Sequence, residues 1–153
     1  MRALHLSLVA LLGLTLCSFS VPPAPAAAPP ADVLILNVNN IGDAKGKIWV
    51  GVYTGDHDWL DRDKARLVAA EVAHSGELRI DIGDLEEGRE YALGLFHDEN
   101  DNGEFDLNWL GLPAEPWAFS GPVKTRLRLP YFSEVSFVFG ARTRVQSVEL
   151  RKW

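Results

Sequence analysis

From Asp32 onward the apolar residues fall into short runs separated by turn chemistry, and no stretch repeats them at helical spacing. A chain patterned in this way can bury its apolar side chains only as strands, because a period of two turns one face to a core while a continuous run fills both faces. Leu78, Ile80 and Ile82 alternate with Arg79 and Asp81, which predicts one face in the core and one in water. Tyr91 to Phe96 is almost uninterrupted and predicts a central strand. Val33 to Asn39 and Ile48 to Tyr53, the latter rich in β-branched and aromatic residues, predict an antiparallel hairpin across the polar segment 40–47 with its Gly42 and Gly46. Leu67 to Ala73, Val135 to Phe139 and Val145 to Leu150, with Val145, Val148 and Leu150 facing inward, complete the set. The charged stretch Gly55 to Arg66 reads as a loop that tucks Trp59 and Leu60 down. About seven short strands, turn residues between them and no credible helix predict an all-β fold, an antiparallel β-sandwich, with a partly closed barrel as the alternative.

The chain opens with Met1, Arg2 and an apolar stretch from Ala3 to Phe19, followed by a Pro- and Ala-rich segment, Val21 to Pro30. One positive charge before such a run is the pattern of a secretory signal, and Ala24-Pro25-Ala26 supplies small residues for cleavage after Ala26. The expected organisation is a signal peptide over 1–26, a linker over 27–31 and one β-sandwich domain over 32–153. An uncleaved anchor helix is the alternative. Cys17, the single cysteine, is preceded by Leu16 where a lipidation signal wants a small residue, so cleavage leaves a chain without a thiol or disulfide. The expected location is the periplasm or the exterior, with no membrane attachment after cleavage. A net charge of −6 and basic residues scattered except around Lys124, Arg126 and Arg128 argue against nucleic acid as a partner.

One connection breaks the short-loop pattern. From His97 to about Thr125 no strand is predicted, and a loop of that length in a compact domain is usually functional unless it hides an element. It begins His97-Asp98-Glu99-Asn100-Asp101-Asn102-Gly103-Glu104-Phe105-Asp106. Oxygen side chains at Asp98, Asn100, Asn102 and Asp106 occupy the first, third, fifth and ninth positions of a calcium loop. Gly103 permits the sharp turn, and the carbonyl of Glu104 can serve as the seventh-position ligand. The twelfth position holds Trp109 rather than a bidentate Glu, and no flanking helices are expected, so calcium would bind weakly and would need water or another loop. Asp56, Asp58 and Glu115 are the candidates for that help. A hydrated turn is the competing reading, because Asn, Asp and Gly dominate turns for backbone reasons alone.

Downstream, Trp109, Trp117 and Phe119 stand among Pro and Gly residues. They could form a stacking platform for a carbohydrate or a groove for a peptide or other envelope component, or else cap the end of the sandwich as a satellite core. Catalytic constellations are weak. His57, His74 and His97 have no metal-triad spacing, and Ser120-Gly121 is not a nucleophile elbow. Asp98, Asp101, Glu104 and Asp106 could supply a carboxylate pair for glycoside hydrolysis, but clustered solvated acids are more often ion ligands or surface. The expectation is a non-enzymatic binding or structural module.

The stretch Phe96 to Asp106, then Asn108-Trp109-Leu110-Gly111-Leu112-Pro113-Ala114-Glu115 and Trp117-Ala118-Phe119-Ser120, resembles the signature of the uncharacterised domain-of-unknown-function family 2141. The likeness extends from Ile48–Tyr53 through Gly88-Arg89-Glu90-Tyr91-Ala92 to Phe132-Ser133-Glu134-Val135-Ser136-Phe137. The resemblance implies an exported bacterial protein with a transthyretin-like or immunoglobulin-like β-sandwich, and it implies no established activity. The family pattern has a basic residue after the loop glycine, where this chain has Glu104, and a basic segment after the aromatic run that is reduced here to Lys124, Arg126 and Arg128.

Overall fold

The computed structural model describes residues 30–124 and 128–153. The signal peptide expected over 1–26 and most of the linker over 27–31 lie outside them, as does Arg126. The described residues form two facing sheets. Strands β1 (Leu34–Ile41), β4 (Gly76–Ile82) and β8 (Val145–Glu149) make one, in the order β4-β1-β8. Strands β2 (Lys47–Tyr53), β3 (Arg66–Glu71), β5 (Glu90–Asp98) and β6 (Trp117–Phe119) make the other, in the order β3-β2-β5-β6, with the two-residue β7 (Phe137–Val138) pairing the start of β5. The fold is an all-β sandwich.

Alternation fixes which side chains meet between the sheets. Leu34, Leu36 and Val38 of β1, Ile80 and Ile82 of β4 and Val148 of β8 face Ile48, Val50 and Val52 of β2 and Leu93 and Leu95 of β5, all buried in one cluster. Each such side chain contributes about 1.5–3 kcal/mol on leaving water. The outer face of the β4-β1-β8 sheet is polar, with Asn37, Arg79, Asp81 and Ser147. The other sheet is apolar on both sides, and its outer row Trp49, Gly51 and Tyr53 lies beside Ala92, Gly94 and Phe96. Gly51 and Gly94 are cross-strand partners, and Leu60 fills the trough they leave. Trp59 packs edge-on against Tyr53 and Phe132 and donates its indole N–H to the Pro130 carbonyl at 2.8 Å.

Four expectations are corrected. Strands β1 and β2 form no hairpin; residues 42–46 carry the chain from one sheet to the other, so their apolar faces oppose across the core instead of lying side by side. Alternation satisfies both arrangements equally, which is why it cannot distinguish them. Strand β8 runs parallel to β1, so the sandwich is not purely antiparallel. Residues Phe132–Val135 form a one-turn helix, α1, whose Phe132 and Val135 are buried against Tyr53 and Ala92, and the strand expected at Val135–Phe139 shrinks to β7. Val145 is exposed, because it lies on the opposite face of the strand from Val148 and Leu150, which reach the core.

Gly46 joins the β1–β2 crossing to the start of the long loop. Its φ is +66°, and a Cβ built there would run into the Asp98 carbonyl oxygen. Gly46→Ala is therefore expected to cost about 2–4 kcal/mol in urea unfolding, from left-handed strain and overpacking together. Gly42→Ala, at an open position of the same crossing with nothing within 4 Å, should change stability by less than about 0.5 kcal/mol.

Candidate functional site

Strand β5 runs to Asp98, two residues beyond its apolar stretch, and β6 begins at Trp117, so the long connection spans 99–116. The sequence hid β6 because three residues between Pro116 and Ser120 carry no periodicity of their own; pairing of Gly94, Leu95 and Phe96 with Phe119, Ala118 and Trp117 creates the strand.

The connection is organised on two buried carboxylates. Asp98 continues the outward row of β5 and is fully buried by its own loop. Its Oδ1 accepts the Asn102 N–H at 3.1 Å; its Oδ2 accepts the Gly103 N–H at 2.8 Å and the Trp49 indole N–H at 3.2 Å. Burial pushes this carboxyl up, but the hydrogen bonds from Gly103, Trp49, Asn102 and Asp101 outweigh it, and its pKa lies below the ordinary value of 3.8. Glu115 closes the far end, accepting the Glu99 N–H at 3.1 Å and the Asp106 N–H at 3.2 Å. Here burial wins over those two bonds, helped by the negative charges of Asp98 and Asp106, and the Glu115 pKa is raised above 4.5.

Between these anchors the expected ligand residues do come together. Asn100 and Asn102 donate their amide N–H groups to Asp106 Oδ2 at 2.7 and 3.1 Å. Their Oδ1 atoms accept the N–H groups of Asn102 and Glu104, two residues on, at 3.1 and 2.8 Å, the local side-chain turns that Asn favours. Asp101 and Gly103 supply the left-handed residues, at φ 59° and 78°. A cation beside Asp106 would meet Asn100 and Asn102 oxygens only if both amides turned over, at the expense of those two turn bonds. Among the described residues no three His, Cys, Asp or Glu side chains cluster to hold a metal, so such a site would rest on Asp106, the Asn amides and backbone oxygen. Of the helper residues, Glu115 is engaged with backbone N–H groups, and Asp58 pairs with His57 and Lys64 at 2.9 and 3.6 Å.

Three residues that the sequence did not single out fasten this loop to the sheet. Arg62 donates to the Gly103 carbonyl, and its guanidinium stacks over the rings of Trp49 and Phe96 at 5.1 and 5.7 Å. Lys47 pairs with Asp101 at 2.6 Å. Trp49 supplies the third donor to Asp98. None carries a local signal, because each acts across the fold.

Beyond Asp106 the chain makes a narrow tip. The Ala114 N–H donates to the Asp106 carbonyl at 2.9 Å, Leu107 bridges Pro113, and Asn108 Oδ1 accepts the N–H groups of Leu110 and Leu112 at 2.9 and 3.1 Å. Gly111, at φ 75°, completes the turn. Trp109 stands at its apex 90% exposed, flanked by the exposed Leu107 and Leu110. Trp117 and Phe119 are elsewhere: half-buried on β6, 5.5 Å apart, with Phe119 against Trp59 at 5.6 Å. The structure therefore separates the three aromatics into one exposed indole and two members of the outer-face packing. The basic residue Arg128 is held by Glu134 through bonds of 2.7 and 2.9 Å, and the guanidinium pulls that carboxyl down to about 2.

Asp98→Asn turns an amide N–H toward donors that now meet an acceptor, and should cost about 2–3 kcal/mol at neutral pH. A depressed carboxyl pKa stabilises the fold above the unfolded value and loses that contribution as pH falls through the folded one. Wild type and Asp98→Asn should therefore converge in urea unfolding as pH falls below 3.8. Glu115 acts oppositely: its raised pKa makes the fold lose stability as pH climbs from 4.5 through the folded value. An Asp98→Asn penalty that stays constant down to acid pH would contradict the assignment of Asp98.

No curated protein and no solved structure matches the sequence. A family model does, that of uncharacterised proteins conserved in bacteria, DUF2141, over residues 36–147, from within β1 to within β8 and including the whole loop. The chain belongs to the DUF2141 family of bacterial proteins.

Proposed function

We propose that the protein is an exported, non-enzymatic binding module, working in the periplasm or outside the cell, that offers the loop tip at Trp109 to a carbohydrate, a peptide or another component of the cell envelope. The observation that carries this reading is the indole of Trp109, almost wholly in water on a tip whose base is fastened by buried carboxylates. Exposed indoles on pre-ordered loops are suited to contact, since little ordering remains to oppose binding. Trp117 and Phe119 serve as support on β6. The apolar leader Ala3–Phe19 behind Arg2 and the absence of cysteine after Cys17 support export, and among the described residues no helix is long and apolar enough to cross a membrane.

The non-enzymatic reading is supported by the commitments of the loop acids. Asp98 accepts three N–H groups, Asp106 two amides, Glu115 two backbone N–H groups, and Asp101 pairs with Lys47. A hydrolase using these acids is the competing reading, and a purely structural envelope domain is a third. The loop is further proposed to take calcium weakly through Asn100, Asn102, Asp106 and the Glu104 carbonyl, while Asp98, expected as a ligand, keeps its oxygens on three N–H groups and shapes the loop from beneath. Trp109 in place of a bidentate Glu at the twelfth position, and loop oxygens that already have N–H partners, support a weak affinity, on the order of 10⁻⁴ to 10⁻³ M.

Cosedimentation of wild type and Trp109→Ala with isolated bacterial envelopes tests the reading, with stability followed in parallel. Trp109→Ala should leave stability within about 0.5 kcal/mol and weaken sedimentation at least about 10-fold. Equal sedimentation of the two, or none by wild type, would contradict it. In chelator-washed protein, calcium at ten times its Kd should raise the unfolding midpoint by a few degrees, about 1.4 kcal/mol, and Asp106→Ala should abolish the shift. A midpoint unmoved by millimolar calcium would remove the ion from the account.

A further inference from the structure

The two sheets approach each other along one side through the edge strands β6 and β8. There the chains run antiparallel and pair at a single point, where Trp117 and Arg151 exchange both backbone hydrogen bonds at 2.9 Å. Beyond that point they part. A cleft of about 350 Å³ opens between them, lined by Phe119 and Gly121 on one wall, Ser147 and Glu149 on the other, and Ala118 and Val148 at the floor.

The hydrogen-bond parity of each wall can be read from its bonded side. The Arg144 carbonyl accepts from Ile35 and the Leu150 N–H donates to Asn39, so the even-numbered residues of β8 face β1. Ser147 and Glu149 consequently turn their N–H and C=O groups toward the cleft. Across it, the Pro116 carbonyl accepts from His97 and the Ser120 N–H donates to Leu93, so the even-numbered residues of β6 face β5. Phe119 and Gly121 turn theirs toward the cleft. None of these four residues has a backbone partner on that side among the described residues.

The walls stay apart for a packing reason. Ser120 Oγ donates to the Val135 carbonyl at 2.7 Å and accepts the Leu93 N–H at 2.8 Å, while a Cβ on Gly121 would come within 2.7 Å of the Val135 Cα. Strand β6 is thus pinned to α1 and β5 and cannot swing over to β8. The outer edges of the sandwich differ: β3 and β4 carry Arg66, Glu71, Glu77, Arg79 and Asp81, the charges that discourage strand addition.

We infer that this cleft takes an extended polypeptide segment from another protein, added as a strand between β6 and β8. The complementarity is specific in kind. Two rows of outward backbone groups match the two edges of one strand, over about three residues or 10 Å. A side chain pointing inward from that strand meets Ala118 and Val148 and should be apolar, whereas its neighbours point outward to water, so the segment alternates apolar and polar residues. Trp117 marks the closed end, with a buried indole N–H that has no acceptor among the described residues. The surface is separate from the Trp109 tip and does not rest on the function proposed for it.

Amide hydrogen exchange by NMR tests the inference with an end-blocked peptide of alternating Val and Thr as the probe. In the protein alone the Phe119, Ser147 and Glu149 amides should exchange rapidly; millimolar peptide should slow them at least about 10-fold, and the same peptide N-methylated at alternate backbone nitrogens should not. Ser147→Pro removes one outward donor without breaking a bond to β1, and should weaken the peptide's effect while leaving the Val50 and Leu95 amides protected. Slow exchange of the three amides in the protein alone, no protection by the peptide, or equal protection by its N-methylated form would overturn it.

Discussion

A single buried carboxylate organises the most unusual part of this molecule. Asp98 sits at the end of the central strand, where the ladder with β2 finishes, and its two oxygens receive N–H groups from the loop ahead and from an indole on the neighbouring strand. An ionised group with no exposure is tolerated only when its lone pairs are met by donors. The loop folds back because those donors are its own backbone, and the carboxylate does for this segment what a disulfide does in many exported domains.

The second anchor, Glu115, works from the opposite direction and with the opposite electrostatics. Its oxygens hold the Glu99 and Asp106 N–H groups, so the entrance and the middle of the loop are tied to its exit. Burial and the nearby negative charges keep its carboxyl reluctant to ionise, while Asp98 is held ionised. Two acids in one loop thus have divergent proton affinities for reasons visible in their partners. Arg62 and Lys47 complete the attachment, placing positive charge against the Gly103 carbonyl and Asp101. The tip bearing Trp109 is carried outward on this base.

The fold class was legible because alternation at Leu78–Ile82 and the apolar run at Tyr91–Phe96 leave few alternatives to sheets. What alternation could not supply was the identity of the neighbour. The Val33–Asn39 and Ile48–Tyr53 runs pack face to face instead of edge to edge, and the run at Val145–Leu150 joins β1 in parallel, because both choices bury the same side chains. Within the loop, Asn100, Asn102 and Asp106 lie together because their spacing is local, and Asp98 lies beneath them with backbone N–H groups as its partners. Trp49, Arg62 and Gly46 were not visible, because their parts depend on contacts across 30 or more residues of sequence. The aromatic run divided for a similar reason: Trp109 follows a turn governed by Asn108, whereas Trp117 and Phe119 are claimed by pairing with β5.

The most direct test of the central claim, that buried carboxylates pre-order the loop, is the exchange rate of the loop amides in chelator-treated protein at neutral pH, read with ¹⁵N relaxation. The Asn102, Gly103, Glu99 and Asp106 amides should exchange within about tenfold of the Val50 and Leu95 amides in the sheet, a difference of about 1.4 kcal/mol or less. Backbone order parameters over 99–106 should approach 0.85. Free exchange at these four amides, with order parameters below about 0.6, would show that Asp98 and Glu115 do not hold the loop and would contradict the account.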